Sequence, residues 1–222
     1  QLKKIDEKEY AYEFVKLERT NKGIKASKTN KLPISDFPVK KKMEDKTGSL
    51  IVWEKPVKNP TFSMYYASID PVSEGKTTTS DSLCSIFVYK NPIEITRQTK
   101  EGLETFIEGD KIVAAWCGRY DDINKTHEQL ELIIEWYNAW TLVENNISLF
   151  IQHMIARKKQ KYLVPKQQIV FLKDLGSNNT VYQEYGWKNT GTLFKSHLIS
   201  YAIEFIREEI YQDTDEHGNI IN

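Results

Sequence analysis

Cysteine is scarce in this chain, with two in 222 residues at Cys84 and Cys117. That number excludes a disulfide framework and fits two small, buried side chains in a reducing compartment. The four histidines, His127, His153, His197 and His217, show no zinc-ligand spacing with them. No Gly-x-Ser-x-Gly nucleophile elbow is present. Long hydrophobic runs are missing as well. The longest, 112–117, is far below the roughly 20 residues that span a bilayer. The opening Gln-Leu-Lys-Lys-Ile-Asp-Glu-Lys lacks the apolar stretch of a signal peptide. The Asn-x-Ser/Thr triplets at Asn124, Asn146 and Asn178 are therefore read as chance matches. The first residue is Gln and not Met, so a piece of a longer protein is expected.

Net charge is absent too, with 31 basic against 31 acidic residues, but the charges are segregated. Residues 20–46 hold eight Lys against three acids, and 147–170 hold five Lys or Arg and no acid. Residues 204–216 hold six acids against Arg207. Such blocks give either a bipolar surface that attracts a polyanion at one end, or ordinary solvated faces. What the chain does have is aromatic mass: twelve Tyr, nine Phe and five Trp, enough for a substantial core.

Residues 2–19 read as a short helix and 20–47 as a linker or loose arm without periodicity. Strands are expected at 49–54, 63–70, 83–90, 94–99 and 111–119, where β-formers cluster. The period then changes. Leu130, Ile133, Ile134 and Tyr137 fall on one helical face, with Thr126 to Gln129 as a capping box. A strand at 140–144, a helix at 147–157 with a basic last turn, a short strand at 162–165 and an irregular stretch at 166–191 follow. A long amphipathic helix is expected over 193–211. Strands first and alternating elements later predict an α/β fold: an antiparallel meander that passes into βαβ units, a mixed sheet with helices on its faces.

Two carboxylates stand out. Asp70 closes the apolar strand Tyr-Tyr-Ala-Ser-Ile-Asp, and Glu144 closes Trp-Thr-Leu-Val-Glu. A carboxylate leaving a buried strand is costly unless it is paired or binds a cation. If the two strands are neighbours, both groups emerge at one sheet edge as hard oxygen donors for Mg²⁺ or Mn²⁺. Two such ions can activate water and stabilise the leaving oxygen of a phosphodiester. The alternative is that Asp70 caps the turn before Pro71 and Glu144 makes a surface ion pair. Asp81 is a third candidate ligand, or else a turn residue. The stretch Gly75-Lys76-Thr77 mimics the end of a phosphate-binding loop, but a β-rich continuation supplies no helix N-terminus to complete it. The basic tract of Arg157, Lys158, Lys159 and Lys161 could follow a DNA backbone without reading sequence.

At Tyr65 to Pro71, Asp81-Ser82 and Glu144-Asn145-Asn146, the chain resembles the nuclease domain of a tailed-phage large terminase subunit. Tyr185-Gly186-Trp187 and Lys195 also fit, and the resemblance covers roughly residues 45–212. It implies an RNase H-like mixed central sheet flanked by helices, and a metal-dependent endonuclease that cuts concatemeric viral DNA during genome packaging. The family's metal carboxylates carry over to Asp70 and Glu144, with Asp81 beside them. A further acid is expected at Asp213, at Asp215 or beyond residue 222, in which case 46–222 would be a C-terminally truncated nuclease domain. Residues 1–45 would be the tail of the linker from a missing ATPase motor. The implied partners are double-stranded DNA, that motor, the portal and the small terminase subunit, with no membrane. The implied location is the cytoplasm of an infected bacterial host. Another RNase H-like enzyme, such as a resolvase or transposase, or a non-catalytic DNA-binding or docking module, would share these features.

Overall fold

The computed structural model describes residues 11–34, 46–75, 82–100, 102–168 and 184–188. Near its start, Val15 and Leu17 are buried while Lys16 and Glu18 are exposed. This two-residue alternation makes Glu13–Thr20 a strand, β1, and not part of a helix. The abundant charges around it had hidden the alternation. A two-residue turn after Thr20, with Gly23 at φ +114°, leads into β2 (Gly23–Lys28). The stretch read as a linker thus begins as the second half of a hairpin, while 35–45 and the first ten residues lie outside the described part.

The next strands are β3 (Leu50–Val52), β4 (Tyr65–Asp70) and β5 (Cys84–Lys90). Strands β6 (Ile93–Gln98) and β7 (Leu103–Glu108) then form a two-stranded ribbon of their own, and β8 (Lys111–Gly118) returns to pair with β5. Strand β7 had no sequence signal, because its apolar residues are exposed and do not alternate as a half-buried strand does. Helix α1 (Ile123–Tyr137) leads to β9 (Trp140–Val143), and helix α2 (Leu149–Ala156) follows. The main sheet runs β2-β1-β3-β8-β5-β4-β9. All its neighbours are antiparallel except β4 and β9, which are parallel. A meander passing into a crossover through α1 gives this order, a mixed α/β architecture.

Helix α1 starts four residues earlier than the capping box would place it. Asp122 is the N-cap, and its carboxylate accepts from the Asn124 amide at 2.9 Å. Thr126 is buried, and its hydroxyl accepts from the Tyr120 amide instead. Leu130, Ile133, Ile134 and Tyr137 are fully buried, as their spacing requires. They share one core with Tyr65, Ala67 and Ile69 of β4, Ile86 and Val88 of β5, and Phe150, Ile151 and Met154 of α2. The expected strand over 162–165 is reduced to isolated bridges, Leu163 to Thr141 and Pro165 to Tyr185, after a short 3₁₀ turn. The helix expected over 193–211 lies outside the described residues. No described helix is long and apolar enough to cross a membrane.

Candidate metal-carboxylate site

In β4, Tyr65, Ala67 and Ile69 point into the core, which leaves Tyr66, Ser68 and Asp70 on the opposite side. In β9, Thr141 and Val143 are buried. The parallel pairing matches Ile69 with Val143, so the next residue of each strand leaves the sheet at the same edge. Those residues are Asp70 and Glu144. The Glu144 amide donates to the Ile69 carbonyl at 2.9 Å, and a hydrogen bond joins the two carboxyl groups. Partial withdrawal from water raises the Asp70 pKa, and the bond with Glu144 opposes the rise. Two ionised carboxyl groups brought together in this way repel each other, and a proton or a cation between them relieves the repulsion.

The turn after β9 is built to hold Glu144. The Asn146 side-chain amide donates to Glu144 Oε1 at 2.5 Å. Asn145 is buried, and its side chain donates to the Tyr185 carbonyl at 2.9 Å. Backbone bonds from Asn145 to Trp187 (2.6 Å) and from Trp187 to Val143 (3.0 Å) lay residues 185–187 against the end of β9. Gly186 sits between them at φ +68°, where an added Cβ would come within 2.3 Å of the Val143 carbonyl oxygen. Only glycine fits such an approach. The resemblance had grouped Tyr185-Gly186-Trp187 with the carboxylate motifs; the structure puts that segment beside Glu144.

Arg119 was not singled out in the sequence. It is 2% exposed, and its guanidinium donates to the carbonyls of Glu74, Gly75 and Ser82. It thereby ties together both ends of the loop that follows Asp70. A lone Arg at the end of an apolar strand was the only available signal. Gly75 meets the Asp121 carbonyl at 1.9 Å from an ideal Cβ position, so its role is close backbone approach. Lys76, Thr77 and Asp81 lie outside the described residues, as do Asp213 and Asp215. Among the described residues, no group of three His, Cys, Asp or Glu forms a metal-ligand set.

The basic tract divides in two. Arg157 Nε lies 2.8 Å from Glu131, and Lys159 contacts both Glu131 and Glu135. Glu131 is fully buried and also receives Arg19 and His153, each at 2.7 Å. Burial opposes its ionisation, but hydrogen bonds from His153 and Lys159 and the charges of Lys159 and Arg157 outweigh that and hold its pKa at about 2. Arg157 and Lys159 therefore tie α2 to α1. Lys158, at φ +57°, and Lys161, over the Tyr162 ring at 4.8 Å, lie on the surface. They follow the C-terminal end of α2, whose eight residues span about 12 Å. His127 is 4% exposed and held neutral by burial, so both helix histidines belong to the packing. Comparison with family models, curated proteins and solved structures finds no match.

Proposed function

We propose that this chain is a divalent-metal-dependent DNA endonuclease domain with an RNase H-like sheet, of the kind that cuts concatemeric DNA in tailed-phage terminases. One observation carries the reading: Asp70 and Glu144, distant in sequence, meet carboxyl to carboxyl at one sheet edge. The donor set is hard oxygen and suits Mg²⁺ or Mn²⁺. A bound ion would supply Lewis-acid polarisation of a phosphodiester and lower the pKa of an attacking water.

The chain's own residues do the rest. Asp70 ends β4 and Glu144 directly follows β9, and the bond from the Glu144 amide to the Ile69 carbonyl holds the two strand ends side by side. The turn at 145–146 and the segment 185–187 fix Glu144. Lys158 and Lys161, exposed on the surface, would meet backbone phosphates, a contact that carries little base preference. The resemblance expects Asp81 as a neighbouring ligand and a further carboxylate at Asp213, at Asp215 or beyond residue 222.

The test is cleavage of supercoiled plasmid in Mn²⁺ by the wild type, Asp70→Asn and Glu144→Gln. Each substitution is expected to reduce cutting at least about 100-fold while the circular dichroism spectrum stays unchanged. Undiminished cutting by Asp70→Asn overturns the assignment. A strong preference for four-way junctions over linear duplex would shift it to a resolvase or transposase.

A further inference from the structure

The turn that follows β9 contains two consecutive asparagines that do different things. Asn145 is 4% exposed and turned inward, where its side chain holds the Tyr185 carbonyl and its amide holds the Trp187 carbonyl. Asn146 is exposed and turned the other way, and its amide donates to Glu144 Oε1. The backbone of Glu144 is meanwhile fixed on both sides, by the Ile69 carbonyl of β4 and by its bridge to Trp187. With the main chain immobilised, the remaining freedom of Glu144 is in its side-chain torsions. A bond to one carboxylate oxygen removes much of that freedom.

We infer that Asn146 is a positioning residue for the carboxylate pair. It holds Glu144 Oε1 so that the carboxylate faces Asp70 before a cation arrives. This rests on the metal-site reading above and deepens it. A flexible glutamate must lose side-chain entropy when it binds an ion. A donor that has already oriented it removes part of that cost. Partners of this kind, one shell out from the metal, typically change metal affinity 10–100-fold. An amide suits the position better than Lys or Arg, because it orients the oxygen without adding a positive charge that would compete with the cation. Asn145 cannot serve, since its side chain is committed to the Tyr185 carbonyl on the buried side.

Thermal unfolding is followed during Mn²⁺ titration of wild type, Asp70→Asn, Asn146→Ala and Asn146→Gln, which reads binding without turnover. Plasmid cleavage is measured over the same Mn²⁺ range. Wild type is expected to be stabilised by Mn²⁺, and Asp70→Asn not. Asn146→Ala is expected to fold with a metal-free melting temperature close to wild type, because the side chain is exposed. Its Mn²⁺ midpoint should rise roughly 10–100-fold in both assays. Asn146→Gln keeps a donor amide and should recover part of the loss. A midpoint for Asn146→Ala within twofold of wild type, beside a normal Asp70→Asn response, overturns the role of Asn146 and leaves the metal site standing. No Mn²⁺ response in the wild type overturns the metal-site reading and this inference together.

Discussion

At the scale of single residues, the metal role proposed for the Asp70–Glu144 pair carries a cost in stability. The folded-state pKa of Asp70 is raised above its ordinary 3.8. Its contribution to stability is therefore complete below that value and is lost as pH rises through the folded pKa. Ionising this carboxyl in the cation-free folded protein therefore costs more than in the unfolded chain. Asp70→Asn is thus expected to raise the melting temperature at pH 7 in the presence of EDTA, with the gain vanishing near pH 3; a loss of stability at pH 7 would contradict the assignment. Gly186 makes the opposite case. Its approach to the Val143 carbonyl leaves no room for a Cβ. Gly186→Ala should cost about 1–3 kcal/mol in urea unfolding, through strain at positive φ and displacement of the segment beside Glu144. Neither residue's environment could be read locally. Asp70 and Gly186 acquire their roles from β9, which lies far from both in the chain.

At the scale of elements, the basic helix end and the β6–β7 ribbon behave differently from their sequence appearance. Arg157 and Lys159 look like part of a cationic tract, but they neutralise a carboxylate with no solvent exposure. Glu131→Ala leaves Arg19, Arg157 and Lys159, together with His153, facing an empty site and should cost about 3–5 kcal/mol, measured by chemical denaturation. Lys158→Ala and Lys161→Ala together should leave stability within about 0.5 kcal/mol while reducing retention on duplex DNA at low salt. The ribbon is an excursion. Lys90 and Lys111 already pair directly at the ends of β5 and β8, so the main sheet closes beneath it. Replacing residues 91–110 by a two-residue turn should preserve the far-ultraviolet spectrum and cooperative unfolding, with a modest loss from removing Glu108, which shares the buried Lys90 with Glu54. Loss of cooperative folding would show that the ribbon supports the sheet.

At the scale of the whole molecule, two buried groups set the acid limit of stability. Burial, with His153 nearby, holds the pKa of His127 at about 4 against an ordinary 6.5. Glu131 is held at about 2 against 4.5. Both folded pKa values are depressed, so in each case the unfolded chain takes up the proton first and stability falls with pH. The His127 contribution should be lost between about 6.5 and 4, and the Glu131 contribution between about 4.5 and 2. A melting-temperature profile is expected to descend across both windows. His127→Gln should flatten the upper one, and a slope there equal to wild type would contradict the assignment to His127.

The amino-acid sequence by itself determined the local elements whose pattern is self-contained. The helical face of Leu130, Ile133, Ile134 and Tyr137 is legible because burial on one side imposes its own period. The strands ending in Asp70 and Glu144 are legible because β-formers run up to a charge. The passage from meander to crossover follows from their order. Tertiary structure alone decided the rest. Whether Asp70 and Glu144 touch depends on the register of β4 against β9, which no local pattern encodes. Asn146 and Gly186 stood in the motifs of the resemblance, but neither their roles nor that of Arg119 could be read there, because those roles are defined by carbonyls and carboxylates brought in from elsewhere in the chain. Strand β1 was obscured for a related reason. Only two of its side chains enter the core, and pairing with β2 and β3, more than propensity, makes it a strand.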